Sequence, residues 1–123
     1  MSTFDNEIED SQHLYAGLIR LHILYHAVEG PIFGLGIIEE LGRHGYRLSA
    51  GSLYPMLHGM ERRGYLRSME VRSGRWSRRV YRATPLGRKA LKQAKAKVRE
   101  LFAELFEPAA ARRRTAPGQA RRR

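Results

Sequence analysis

Eighteen consecutive residues, Ser49-Ala50-Gly51-Ser52-Leu53-Tyr54-Pro55-Met56-Leu57-His58-Gly59-Met60-Glu61-Arg62-Arg63-Gly64-Tyr65-Leu66, leave this chain few choices of local structure. Ser49 is a residue type that accepts a backbone N–H at a helix start, and Ser52 adds a second hydroxyl one turn on. Leu53, Met56, Leu57 and Met60 repeat at helical spacing and form one apolar stripe. Pro55 falls near the helix start, where its missing N–H costs least. Gly64 stops the helix, and Tyr65-Leu66 begins an extended segment with no linker between.

The stretch Arg67 to Arg82 reads as two strands. Tyr65, Leu66, Met69 and Val71 belong to the first, Trp76, Val80 and Tyr81 to the second, and the chain turns at Ser73-Gly74. Trp76 is expected to pack under this hairpin. Eight arginines fall between Arg62 and Arg82 against one acid, Glu70. A short helix passing into a basic hairpin is the layout of a winged helix-turn-helix, in which one helix enters the major groove and the hairpin lies on the phosphate backbone.

Upstream, Leu14, Leu18, Leu21, Tyr25 and Val28 recur at helical spacing from Gln12 to Val28, with Tyr15, Ile19 and Ile23 as a second stripe. That face is wider than one neighbouring helix requires. Gly30-Pro31 ends this helix, and Pro31 is expected in the first turn of the next, whose buried face is Ile32, Leu35, Ile38 and Leu41. Gly34 and Gly36 each cost that helix about 1 kcal/mol relative to alanine, for which close packing against another backbone is the expected return. His44-Gly45-Tyr46 is a turn with Gly45 suited to positive φ. Downstream, Thr84 caps a last helix with Pro85 at its first position. Leu91, Ala94, Val98, Leu101, Phe102 and Leu105 form a stripe close to a coiled-coil seam, and Pro108 closes the helix.

The formal charge of +11 fits a nucleic-acid partner, with an anionic membrane surface as the competing explanation. Residues 11–107 hold seventeen Lys/Arg against eight Asp/Glu, so the basicity does not come from the arginine-rich tail alone. No apolar run approaches the roughly 20 residues that span a bilayer, and the acidic first ten residues do not read as a secretory signal. With no cysteine, disulfides, thiolate metal sites and cysteine nucleophiles are excluded. A cytoplasmic location is the expectation. Gly34-Leu35-Gly36 lacks the third glycine and the preceding strand of a dinucleotide fingerprint. With no G-x-S-x-G or P-loop either, no enzyme and no cofactor are expected.

With these elements placed, the chain resembles the PadR family of bacterial transcriptional regulators from about Leu21 to Phe106. The carrying residues are Ile32-Phe33-Gly34, Ser49-x-Gly51-Ser52-Leu53-Tyr54-Pro55-x-Leu57, Glu61-x-x-Gly64-Tyr65-Leu66 and Arg79-Val80-Tyr81-x-x-Thr84-x-x-Gly87. One helix after the hairpin resembles the short branch of that family; the basic tail from Arg112 is no part of the common pattern. The resemblance implies a homodimer in which the last helix packs with the first helix of the other subunit, and it implies a DNA contact for Tyr54.

The expected fold is therefore mainly α with a small β-hairpin: a winged helix-turn-helix over residues 12–83 and a dimerisation helix over 84–107. Acidic residues 1–11 and basic residues 108–123 are expected to be disordered. The candidate DNA-binding residues are Ser49, Ser52, Tyr54, His58 and Arg62 on the third helix and Arg72, Arg75, Arg78 and Arg79 in or beside the hairpin. The candidate dimer interface is Leu14, Leu18, Leu21, Leu91, Val98, Leu101, Phe102 and Leu105. A small apolar or aromatic effector among Leu14, Leu18, Leu21, Phe102 and Leu105 would change the distance between two recognition helices. His22 and His26, at i and i+4, have metal-ligand spacing, but no further histidine stands at ligand spacing in the sequence, so no metal is expected. The function expected is a transcriptional repressor that reads an inverted-repeat operator as a homodimer. The alternatives are a sequence-tolerant architectural DNA binder and, behind it, a protein of RNA or membrane surfaces.

Overall fold

A computed structural model describes residues 13–107; the expectations for residues 1–11 and for the basic tail lie outside them. The element order is α1 (Ala16–Glu29), α2 (Gly34–Arg43), α3 (Ala50–Arg62), β1 (Leu66–Ser73), β2 (Trp76–Ala83) and α4 (Pro85–Phe106). This is the winged helix-turn-helix expected, with a helix after the wing. The chain divides into two compact units at Leu91/Lys92.

The core of the first unit gathers Ile19, Ile23, Leu24 and Ala27 from α1, Ile37 and Leu41 from α2, and Leu53, Leu57 and Met60 from α3. Leu66 and Tyr81 close it from the hairpin. Thus α1 turns its Ile19/Ile23 stripe inward. Leu14, Leu18 and Tyr25 stay exposed, so the wide apolar face is covered on one side only.

Two expectations for α2 are corrected. Pro31 does not open the helix: Phe33 is its N-cap (φ −137°, ψ 160°), and Pro31-Ile32 run extended. Ile32 and Tyr81 exchange both backbone hydrogen bonds, at 2.9 and 2.8 Å, so the α1–α2 connection makes a one-residue antiparallel bridge to β2. Two ladder bonds and the burial of Ile32 outweigh a helical start. With the helix beginning at Gly34, the inward positions are Gly34, Ile37 and Leu41, and Leu35 points outward, 70% exposed. Gly34 does permit a close approach, but to a side chain: a Cβ there would lie 2.0 Å from the Tyr54 hydroxyl.

The glycine signals around α3 hold. Gly45 and Gly64 take φ of +90° and +87°, in the left-handed region that glycine alone enters freely. Pro55 corrects the expectation: it lies inside the helix in the second turn, not the first, so its missing N–H removes an intrahelical bond. Gly74, at φ +63°, is the first of two loop residues between the paired Ser73 and Trp76, the place where a type II′ hairpin turn requires it.

Thr84 stitches α4 to the hairpin. Its Oγ1 accepts the Gly87 N–H at 2.9 Å and donates to the Gly64 carbonyl, while its N–H donates to Tyr65 O at 3.0 Å. Thr84→Ala should lower unfolding stability by about 1–2 kcal/mol, the usual cost of a lost cap, and Thr84→Ser should recover most of it. Urea denaturation of the three proteins measures both.

Candidate nucleic-acid interface

Ser49 is extended (φ −93°, ψ 166°), its Oγ accepts the Ser52 N–H at 3.2 Å, and its hydroxyl lies 3.5 Å from Ser52 Oγ. It is the N-cap of α3. Ser52, Pro55, His58 and Arg62 follow at spacings of three, three and four, one strip of α3 opposite Leu53, Leu57 and Met60. Within that strip Pro55, His58 and Arg62 are exposed and Ser52 is half-buried. Tyr54 lies beside it. Its ring is half-buried against Gly34, 6.2 Å from the His58 ring between centroids. It therefore packs on α2, and it lies close enough to Tyr81 of β2 to act on that hydroxyl.

The wing register sorts the arginines by face. Partners directly opposite in an antiparallel pair share a face, and neighbours along a strand alternate. One face carries Arg67 opposite Arg82, Met69 opposite Val80, Val71 opposite Arg78, and Ser73 opposite Trp76. The other carries Ser68 opposite Tyr81, Glu70 opposite Arg79, and Arg72 opposite Ser77.

On the second face a polar network ties the wing to α3. Glu61 Oε2 accepts from Ser68 N at 3.2 Å and from Ser68 Oγ at 2.7 Å. Arg79 donates to Ser68 Oγ at 3.0 Å and pairs with Glu70 at 3.2 Å, and Ser77 donates to the other Glu70 oxygen at 2.6 Å. Arg79, a candidate DNA ligand by sequence, is thus engaged inside the wing. Glu61 is a positioning residue that sequence reasoning passed over. Its acid type at the end of a helix, just before a strand, was the available signal. Burial, and then the Glu61 carboxylate, push the Tyr81 hydroxyl above its ordinary range.

The first face is apolar at its centre. Met69, Val71 and Trp76 are exposed, and with Phe33 they line an open groove of about 400 Å³. Trp76 is 80% exposed, so it does not pack under the wing as expected: it ends the hairpin, where no core reaches it. Arg78 lies over the Phe33 ring at 4.2 Å. Arg67 and Arg82, directly opposed and exposed, form a like-charge pair that costs stability until an anion sits between them. Their opposition depends on the register and could not be seen in the sequence. Arg72 and Arg75 are exposed on the outer part of the wing.

The candidate dimer residues divide between the two units. Leu14 and Leu18 are exposed and Leu21 and Leu91 half-buried. In the second unit Val98, Leu101, Phe102 and Leu105 are all exposed, with the Phe102 and Phe106 rings 4.9 Å apart. His22 and His26 share a face of α1, and the structure brings His44 to them, contrary to the expectation that no third histidine was placed to join.

No helix among the described residues is long and apolar enough to cross a membrane. The family model described as transcriptional regulator PadR-like matches residues 23–93. The chain is 50% identical over 89 residues to transcriptional regulator Rv3488 of Mycobacterium tuberculosis, covering 72% of this chain and 82% of that one. A PadR family regulator from Eggerthella lenta superposes with a TM-score of 0.68 at 27% identity, covering 86% of this chain and 98% of the other. A PadR-like regulator from Bacillus cereus gives 0.65 at 25% identity, covering 78% and 98%.

Proposed function

We propose, from the premise that this chain belongs to the PadR-like family of transcriptional regulators, that it is a repressor binding an inverted-repeat operator as a homodimer. Family membership makes it a regulator of transcription and not an enzyme. The observation that carries the DNA reading is the juxtaposition of two surfaces. The strip of Ser52, His58 and Arg62 on α3 adjoins a wing whose Arg67, Arg72, Arg75 and Arg82 have no acidic partner among the described residues. In this reading α3 enters the major groove and the wing arginines neutralise phosphates. Ser49 and Tyr54 flank the helix start, and Arg78 leans on Phe33 while reaching the backbone.

Two copies related by a two-fold axis present two α3 helices to half-sites about 34 Å apart. The dimer reading rests on the uncovered apolar stripes of α1 and α4. A planar apolar effector held at that interface would alter the spacing of the two α3 helices and weaken operator binding. A cytoplasmic location goes with this reading.

Arg75→Ala and Arg78→Ala should each weaken binding to specific and random duplexes alike, and each lower the slope of log K against log salt by about 0.9. Arg79→Ala should change the slope less, because Glu70 already holds that guanidinium. Fluorescence anisotropy over a salt series measures all three. Unchanged slopes for Arg75→Ala and Arg78→Ala would overturn the wing assignment. Equal affinity for unrelated genomic fragments would favour an architectural DNA binder over a repressor.

A further inference from the structure

A side-chain cluster between α1 and the end of α2 takes no part in the DNA face. His22 and His26 stand one turn apart on α1, and His44 closes α2 against them. One ligand-capable nitrogen from each of the three lies within 4.8 Å of the others. Glu40, one turn before His44, supplies a fourth side: its Oε2 is 3.6 Å from His26 Nε2 and 3.3 Å from His44 Nε2. We propose that His22, His26, His44 and Glu40 form a binding site for a divalent transition-metal ion of the zinc class.

The geometry is close to what such an ion needs. Ligand bonds of about 2.0–2.1 Å in a tetrahedron put neighbouring ligand atoms about 3.3–3.4 Å apart. The Glu40–His44 contact, at 3.3 Å, already has that separation, and the Glu40–His26 contact, at 3.6 Å, is slightly longer. Bringing the remaining nitrogens together takes side-chain rotation, not backbone movement, since His44 is exposed and His22 and His26 are half-buried. Three imidazoles and one carboxylate suit zinc, copper, nickel or cobalt, whereas magnesium and calcium seek oxygen alone.

The charges are also prepared. Burial, and then the neighbouring His44 and His26, hold the His22 imidazole below its ordinary pKa, more than Glu40 raises it. It is therefore neutral at pH 7, the form that ligates. Burial opposes the ionisation of Glu40, but His26, Arg43 and His44 outweigh it and keep the carboxyl below its usual range. Arg43 binds Glu40 Oε1, which leaves Oε2 to the histidines. Packing explains part of the cluster: His22 stacks on His44 at 4.7 Å and meets the edge of Tyr46 at 5.2 Å. It does not explain a third imidazole directed at the same carboxylate oxygen. An ion here would join α1 to the turn that leads into α3.

The test is zinc titration of the tag-free full-length chain by calorimetry, with cobalt as a spectroscopic probe of tetrahedral coordination. It needs no DNA, so its outcome is separate from that of the repressor reading. One zinc per chain is expected, with the visible absorption of tetrahedral cobalt. His44→Gln and Glu40→Gln should each weaken binding at least about tenfold, whereas His13→Gln and His58→Gln should leave it unchanged. Zinc should raise the melting temperature of the parent and not that of His26→Gln. Metal-free melts report whether each variant folds, and the exposed His44 gives the safest one. Equal zinc affinity in the parent and His44→Gln, or a cobalt spectrum of octahedral type, would overturn the site.

Discussion

Gly87→Ala should cost this protein about 2–4 kcal/mol of stability, a large share of the roughly 5–15 kcal/mol typical of a folded domain. Gly87 is buried at the third position of α4, and a Cβ there would fall 2.2 Å from the Tyr65 carbonyl oxygen and 3.1 Å from its carbon. Both are backbone atoms, so no rotamer change relieves the clash. Leu24 blocks the other side, with Cδ1 at 3.3 Å. The helix must shift, and the shift pulls Thr84 away from Gly64 and Tyr65, adding a lost cap to the overpacking. Alanine's better helix propensity returns about 1 kcal/mol. Gly17→Ala is the matched control: Gly17 is exposed in α1 with nothing within 4 Å of an added Cβ. That substitution should stabilise slightly. Urea denaturation of the two variants beside the parent decides it, and a Gly87→Ala midpoint equal to the parent's would show that α4 does not seat as described.

Phe102→Glu should convert a dimer to a monomer. Phe102 is exposed in the second unit beside Phe106, with Val98, Leu101 and Leu105 also exposed. A two-fold interface places each of these side chains twice. A carboxylate set into it carries the desolvation cost of an unpaired charge on both subunits. Ultracentrifugation should report about twice the 14.1 kDa chain mass for the parent and the single mass for the variant. Operator affinity should fall by roughly 10²–10⁴, because the second half-site is no longer held at high effective concentration. Lys95→Glu, which changes charge on α4 without touching the apolar stripe, should remain a dimer. A parent chain that is monomeric at micromolar concentration would refute the interface.

The features legible in the sequence were those decided within a few residues. The Ser49 cap, the stop at Gly64, the tight turn at Gly74 and the Thr84-Pro85 helix start each follow from one side chain or one φ angle. What failed depended on residues far apart. Ile32 and Tyr81 are 49 positions apart, and their pairing set where α2 begins and so turned Leu35 outward. Hairpin register decided that Arg79 faces Glu70 while Arg67 faces Arg82, and arginine counting contains no register. His44 was set aside because its distance along the chain from His22 says nothing about a helix that folds back. The two stripes of α1 were both visible, but only the packed core shows that Ile19 and Ile23 face inward and Leu14 and Leu18 do not.

The bridge contributed by Ile32 has a mechanical consequence. A two-stranded hairpin alone is marginally stable in water. Here the root of the hairpin is clamped on three sides, by the Ile32–Tyr81 bonds, by Glu61 on Ser68 and by Leu66 in the core. Beyond Met69 and Val80 the strands hold each other out to Gly74 and Arg75 and reach the body through Arg78, which lies over the Phe33 ring. The wing is built as a cantilever, anchored most where it leaves the body and least at its charged end. In the proposed complex such a lever would keep α3 aligned with the helices beneath it while its tip yielded by small angles, so that one chain could follow duplexes whose groove widths differ.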